Sequence, residues 1–434
     1  MNKPVNANQE FQSDFLSVTE ARTAISAVIH SIQAQARLHE AIESLPLKEC
    51  LGRILASDVL SPINVPANDN SAMDGFAFNG KELDAAQDPV NLRIAGAIYA
   101  GQTHSPSIQM GECIKVMTGA MMPPNCDTVI PQEFTKSSEE GSITFAKDTV
   151  RAGDNRRLCG EDLQAGKPAI QRGRILKASD IGLAASLGIA KLEVYQRIKV
   201  AILSSGDELC SIGVPLQPGK IYDSNRFSLH ACLSKLGFEI IDCGIVHDTP
   251  DDLRQAFMQA AQKADVIISS GGVSVGEADF TKQIMEELGQ VGFWKIAMRP
   301  GRPMAFGSLK PVSPKTAPTV FFGLPGNPVA VMVTFYQFVR NALLHLNGAL
   351  NPEIPLVSIQ SAEAIRKKSG RTEFQRGILF RDPEGRLLVK STGSQGAGIL
   401  RSMSEADCFM ILHHDQGNIA PGDWVDVEIF DGLL

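Results

Sequence analysis

The sequence predicts a multidomain α/β plus β protein. Its parts are a central doubly wound, mostly parallel α/β domain, a β-rich inserted domain, an extended helical N-terminal region and a C-terminal β-barrel. Three observations predict it. Residues 197–346 alternate short apolar runs with helix-length segments, the pattern of a parallel sheet covered on both faces. Residues 55–147 hold only short β-branched runs between Gly/Pro turns. From about residue 351 the chain returns to short alternating strands.

Taken in order, residues 17–45 read as helix, because Ile25, Val28, Ile29 and Ile32 recur at helical spacing and Pro46 ends the run. Strand-like runs follow at Cys113–Met117, Thr128–Ile130 and Ser142–Phe145. A short helix spans Ala178–Leu187 and closes at Gly188. IKVAIL (198–203) is a buried strand, Asn225–Leu236 a helix stopped by Gly237, and Ile240–Cys243 the next strand. Thr249 suits an N-cap, Pro250 the first helical position, and Asp251 and Asp252 the positive first turn. DVIISSGG (265–272) and TVFFGLPGNP (319–328) are further strands with their turns. Asn327 is placed to cap, and Pro328 to start, a helix reaching about Leu346. Arg386–Lys390 and Trp424–Phe430 are strands of the tail.

Lys plus Arg number 41 and Asp plus Glu 48, a formal charge of −7, which argues against bulk nucleic-acid binding. With 44% hydrophobic and 21% charged residues, the 434-residue chain has an ordinary globular balance and material for more than one core. The eight cysteines form no CxxC pair, so they read as free thiols of a reducing compartment, and the expected location is cytoplasmic. The polar start, MNKPVNANQEFQSDF, lacks the apolar core of a signal peptide. The apolar stretch Val329–Val339 reads as too short for a bilayer, so no membrane partner is expected.

The chemistry is expected where three loops leave strand ends, the usual ligand edge of such a sheet. SSGDEL (204–209) carries Asp207 and Glu208. SGGVSVGEADFTK (270–282) carries Gly271, Gly272, Ser274, Glu277 and Asp279. GLPGNP (323–328) carries Pro325, Gly326, Asn327 and Pro328, and Asp223 lies nearby in KIYDSNR. Glycine turns at helix starts can cradle an anion. So many carboxylates beside such turns would repel one another, and a divalent cation, Mg²⁺ by its preference for oxygen, resolves the conflict. The metal candidates are therefore Asp207, Glu208, Asp223, Glu277 and Asp279. Some acids have a plainer use, since Asp279 could cap a helix beginning at Phe280.

FWKIAMRPGRP (293–303) presents Lys295, Arg299 and Arg302 around a turn held extended by Pro300 and Pro303, and arginine suits an oxyanion. The loop PANDNSAMDGFAF (66–78) is dense in Asp69, Asn70, Ser71 and Asp74. Thr118 follows a strand in VMTGAMMPPNCDTVI, where the methionines fit core filling. Arg156, Arg157, Glu161 and Asp162 form a polar knot that also fits an interdomain salt-bridge cluster.

Together DNSAMDG (69–75), MTGAMMP (117–123), RRLCGEDL (156–163), SSGDEL, IYDSNR (221–226), SGGVSVGEADFTK, LPGNP (324–328) and GRTEFQRG (370–377) resemble the bacterial MoeA and gephyrin E-domain family, from about Ser17 to Phe430. The resemblance implies four parts: an extended linker and dimerisation domain (14–57 and 148–192), an inserted β-rich domain (58–147), a molybdopterin-binding α/β domain (193–348) and a C-terminal barrel (349–434). It implies insertion of molybdate into adenylylated molybdopterin with release of AMP, a divalent metal, and an elongated homodimer whose sites are shared between subunits. Other molybdenum cofactor biosynthesis proteins are admitted as partners. The family's functional positions fall on Asp69, Thr118, Asp162, Glu208, Asp223, Asp279, Lys295, Pro325 and Pro328. The alternatives are molybdopterin adenylylation and a non-enzymatic scaffold of the gephyrin type. Two departures stand out: RPGRP (299–303) replaces the common KPGKP, and QGAG (395–398) puts Ala397 where a serine is common.

Overall fold

The structure is a computed structural model that describes residues 15–36, 41–102, 107–138, 141–272, 280–312 and 317–430. The chain divides into two compact units, one of residues 1–57, 173–177 and 191–434, the other of residues 58–172 and 178–190.

The first unit is built on a six-stranded sheet ordered Glu239–Val246, Lys199–Ser205, Val266–Ser270, Thr319–Leu324, Pro303–Leu309, Gly289–Lys295. The first four strands are parallel, and an antiparallel pair closes one edge. Side chains alternate across these strands, so each β-branched run feeds two cores. Val200, Ile202, Ile268 and Phe322 face a core completed by Leu229, Leu233 and the helical run after Pro328. Ala201, Leu203, Ile267 and Phe321 face the other, completed by Leu253, Phe257, Ala260 and Ile284. That is the doubly wound arrangement expected.

Pro250–Lys263 starts as its sequence directs, with the Asp252 amide donating to Thr249 Oγ1 at 3.3 Å. The run after Pro328 is one continuous helix with a π-helical stretch at Phe335–Val339. Asn327 precedes it without making a side-chain cap. Pro328–Leu346 spans 19 residues, so the apolar stretch is not too short for a bilayer as expected; with 72% of its most apolar window buried in the unit, it is the core helix.

The N-terminal helix is shorter than the sequence suggested. It covers Val18–Ala36, and Ile42–Pro46 is instead a strand paired antiparallel with Lys191–Tyr195. A partner far along the chain overrides local helical spacing here. The C-terminal strands 372–381, 387–391, 357–361, 424–429 and 408–412 close on themselves as a five-stranded barrel. Met298–Arg299 pairs onto its Thr372–Glu373 end.

The second unit carries a mixed six-stranded sheet ordered Thr128–Pro131, Gly75–Phe78, Glu112–Val116, Val90–Ile98, Ser142–Phe145, Lys136–Ser137. Phe76, Phe78, Leu92 and Ile143 pack on one face, and Ala77, Ile114, Val116 and Val129 on the other.

Candidate functional site

At the carboxyl edge of the large sheet, the neighbouring strands 199–205 and 239–246 end in register, with Ser205 opposite Val246. The first continues into Gly206, Asp207 and Glu208. Gly206 has φ +147°, a backbone conformation that residues with a Cβ rarely adopt, and the Glu208 carboxylate folds back to within 2.6 Å of where such a Cβ would sit. The second continues into His247 and Asp248. The Asp248 amide lies 3.5 Å from Asp207 Oδ1, and His247 Nδ1 lies 3.8 Å from the same oxygen. Burial pushes the Asp248 carboxyl above its ordinary range, reinforced by the charges of Asp207 and Glu208. Three acids thus share one strand edge. Sequence reading placed Asp207 and Glu208 there but passed over Asp248, whose only signal was its position between a strand and the Thr249 cap.

Asp223 does not join them, which corrects its reading as a metal and substrate ligand. It is 1% exposed. Its oxygens accept from Ser204 Oγ at 3.0 Å, the Arg226 amide at 3.2 Å and Arg226 Nε at 2.9 Å. A carboxylate so paired is an anchor for the helix Asn225–Lys235. Among the described residues no cluster of three or more His, Cys, Asp or Glu is arranged around a common metal position. Ser274, Glu277 and Asp279 lie outside the described residues.

The glycine turns of the second and third loops are brought together. The Gly271 amide donates to the Leu324 carbonyl at 3.1 Å. A Cβ on Gly271 would lie 2.3 Å from the Ser205 carbonyl, so no other residue fits between these strand ends. The Asn225 side chain donates to Ser270 Oγ at 2.8 Å and to the Gly326 carbonyl at 2.7 Å. Gly272 and Pro325 line this same edge, Pro325 buried and Gly326 and Asn327 exposed. The helix start at Pro328 is not wholly open to an anion, because the Val329 amide is taken by the Ala397 carbonyl at 3.0 Å.

The cations divide. Arg299 is exposed and Arg376 lies fully buried close by. Burial, with Arg299 adding repulsion, pushes the Arg376 guanidinium down to about 10, still charged near neutrality. Arg376 donates to Ser402 Oγ at 3.0 Å and to the Gly396 carbonyl at 3.1 Å, which ties the QGAG loop to the barrel. Nothing in the string GRTEFQRG (370–377) by itself signals this role for Arg376. Arg302 instead lies 5.0 Å over the Phe15 ring. Lys295 is exposed at the end of the antiparallel edge strand.

The second unit assembles its own polar group from three loops. The Met122 amide donates to the Asp69 carbonyl at 2.9 Å, and Arg156–Arg157 pairs with Asn70–Ser71. Asp69 Oδ1 accepts the Cys159 amide at 2.7 Å, while Oδ2 lies 3.8 Å from Arg156 Nη1. The polar knot at 156–162 is therefore bound within this unit at Asp69. Asp162 is exposed, its amide held by the Val65 carbonyl at 3.0 Å. Thr118 is exposed and is gripped by Asp74 through both its amide and its hydroxyl.

Three family descriptions match in order: the MoeA N-terminal region (domain I and II) over residues 16–188, a probable molybdopterin binding domain over 201–345, and the MoeA C-terminal region (domain IV) over 358–430. A molybdopterin molybdenumtransferase of Haemophilus influenzae is 42% identical over 393 residues, covering 90% of this chain and 95% of the relative. One from Nostoc sp. is 35% identical over 86% of this chain and 85% of the relative. The crystal structure of the molybdopterin biosynthesis MoeA protein from Pyrococcus horikoshii OT3 matches with TM-score 0.76 at 26% identity, covering 96% of this chain and 100% of that chain. With the ordered motifs, the fold and near full-length identity in agreement, the chain belongs to the molybdopterin molybdenumtransferase (MoeA) family.

Proposed function

We propose that the protein inserts molybdate into adenylylated molybdopterin and releases AMP, as a transferase of molybdenum cofactor biosynthesis. Its relatives of Haemophilus influenzae and Nostoc sp. are molybdopterin molybdenumtransferases. The observation that carries it in this chain is the meeting of Asp207, Glu208 and Asp248 beside the clamped glycine turns at Gly271 and Gly326. An adenylyltransferase would call on the α/β section alone, whereas the family matches continue through the β-rich unit and the barrel. A pure scaffold would have no use for Glu208 and Lys295.

The carboxylates at this edge are oxygen donors of the kind Mg²⁺ takes, and burial, reinforced by the charges of Asp207 and Glu208, raises the Asp248 carboxyl; among the described residues they form no ready-made metal cluster, so the ion would bind here together with the phosphate of the substrate. Asp207, Glu208 and Asp248 would hold that ion, which supplies charge neutralisation to phosphate oxygens. The exposed turn at Gly326 and Asn327 receives the phosphate, the Gly271 amide being committed to the Leu324 carbonyl, and Asn225 keeps the two glycine turns in register. Arg299, with the charge of buried Arg376 nearby, attracts molybdate, a compact oxyanion. Asp69, Thr118 and Asp162 serve as the second polar surface of the substrate. The protein acts as a homodimer in which these residues complete the partner subunit's site, and it works in the cytoplasm, where its eight free cysteines stay reduced. The test is direct: purified protein with adenylylated molybdopterin, Mg²⁺ and molybdate should release AMP in proportion to molybdate. Absence of molybdate-dependent release overturns the reading.

A further inference from the structure

Asp74 Oδ1 accepts two hydrogen bonds from one residue, the Thr118 amide at 2.7 Å and the Thr118 hydroxyl at 2.7 Å. Thr118 itself is exposed and follows the strand Glu112–Val116. Asp74 is fixed by the glycine after it. A Cβ on Gly75 would lie 2.1 Å from the Ile130 carbonyl, and the Gln132 amide donates to the Asp74 carbonyl at 3.0 Å. The Asp74 carboxylate is thus delivered to Thr118 by the sheet. Those two bonds hold the carboxyl below its ordinary range, so it is an anion near neutrality and can only accept.

A hydroxyl has one proton, and here it is committed inward. What Thr118 presents outward is therefore lone pairs. Asp69, earlier in the same loop as Asp74, adds carboxylate oxygens to this surface, Oδ1 accepting from the Cys159 amide and Oδ2 paired with Arg156 at 3.8 Å. We propose that Asp74 is a positioning residue that sets the polarity of this surface: it turns Thr118 into an acceptor, so that the surface recognises the N–H- and O–H-bearing part of the substrate, a pterin or ribose edge, and not its phosphates or the molybdate. The proposal rests on the functional reading above and assigns which portion of that substrate faces the second unit.

The experiment compares Asp74→Ala, Asp74→Asn and Thr118→Val by steady-state AMP release, with backbone amide hydrogen exchange at Thr118 as a readout independent of turnover. Asp74→Ala should raise KM for adenylylated molybdopterin about tenfold, the scale of one lost charge-assisted hydrogen bond, with KM for molybdate unchanged. Thr118→Val should match it, and the double variant should be no worse than either single one. Asp74→Asn keeps a carbonyl oxygen able to accept both bonds, so it should recover most of the lost affinity. Thr118 exchange should quicken in Asp74→Ala and stay slow in Asp74→Asn. Wild-type KM in Asp74→Ala, a shift in molybdate KM instead, or Asp74→Asn as damaged as Asp74→Ala would each overturn the proposal. An inactive wild-type protein would instead overturn the functional reading, and exchange would still decide whether Asp74 holds Thr118.

Discussion

Asn225 holds Gly326: its side-chain amide donates to the Gly326 carbonyl at 2.7 Å, and reaches Ser270 Oγ at 2.8 Å with its other proton. One residue at a helix start thereby sets the spacing of two glycine turns. Asn225→Ala should leave the fold intact, since the helix keeps its Asp223 anchor, but should lower kcat/KM for the adenylylated pterin about tenfold by loosening those turns. Asn225→Asp should do worse, because it adds a negative charge where phosphate is to bind. Steady-state AMP release beside a thermal melt separates the two effects; wild-type kinetics in Asn225→Ala would show that the turns hold themselves.

Asp223 and Asp248 are physically opposite: the first is a buried, paired carboxylate and the second sits among other acids. Asp223→Ala removes a buried carboxylate that accepts from Ser204 and Arg226, while the half-buried Arg226 keeps Asp242 as a partner, and should cost about 1–2 kcal/mol of stability. Asp248→Ala relieves a crowded acid cluster, so it should leave the melting temperature unchanged or raised while removing most activity and weakening the Mg²⁺ dependence. A Mg²⁺ titration of AMP release for both variants checks the assignment. Unaltered Mg²⁺ dependence in Asp248→Ala would remove it from the metal set.

Arg299 is exposed, and Arg376 is buried near enough to feel its charge. Arg299→Ala should raise KM for molybdate about tenfold and leave that for the pterin nearly unchanged; Arg299→Lys, which keeps the charge, should recover much of it. Equal changes for both substrates would mean that Arg299 matters to the barrel seam at Thr372–Glu373 and not to the oxyanion.

Glu428 gives a prediction about pH. It is buried, one oxygen accepts from Gln337 Nε2 at 3.1 Å, and the other has no partner. Burial raises its carboxyl above the ordinary value, against the pull of Gln337, Arg22 and Arg340. A raised folded-state value means that protonation is favoured in the fold, so this group's contribution is fully present below the ordinary carboxyl value of 4.5 and is lost as pH rises through the raised one. Glu428→Gln should therefore melt roughly 2–4 °C higher than wild type at pH 8 and about equally at pH 4. Melts at the two values check it; no pH dependence in the difference would mean that the two arginines fully compensate the charge.

The α/β section was legible because its signals are local. Strands 199–205, 266–270 and 319–324 are buried on both faces and so read as unbroken apolar runs, and Thr249-Pro250-Asp251 spells a helix start. The strand at Ile42–Pro46 was not legible, since its pairing with Lys191–Tyr195 lies far along the chain. Nor was the antiparallel pair Gly289–Lys295 and Pro303–Leu309, whose glycines 289 and 307 mark close backbone crossings that apolar periodicity does not report. In the site, residue types were visible but not their partners. Asp223 and Asp248 both sit just after strand-like text, and only the fold shows that Arg226 claims the first and that Asp207 and Glu208 crowd the second.

The remaining prediction concerns assembly. The polar residues fall in separate compact units, Asp69, Asp74 and Thr118 in one and Glu208, Asp248 and Arg299 in the other. If the working unit is a homodimer with sites shared between subunits, Asp69→Ala and Glu208→Ala should each be nearly inactive alone, yet partly rescue one another when mixed after dissociation. A mixed dimer carries one doubly damaged site and one intact site, because a two-fold axis makes the two sites equivalent. With random pairing about half the dimers are mixed, and each has one good site of two, so roughly a quarter of wild-type AMP release should return. Subunit exchange is verified separately by differential tagging and pull-down. Proven exchange without recovered activity would place Asp69 and Glu208 in the same subunit's site, and a protein that stays monomeric at assay concentration while fully active would remove the shared site altogether.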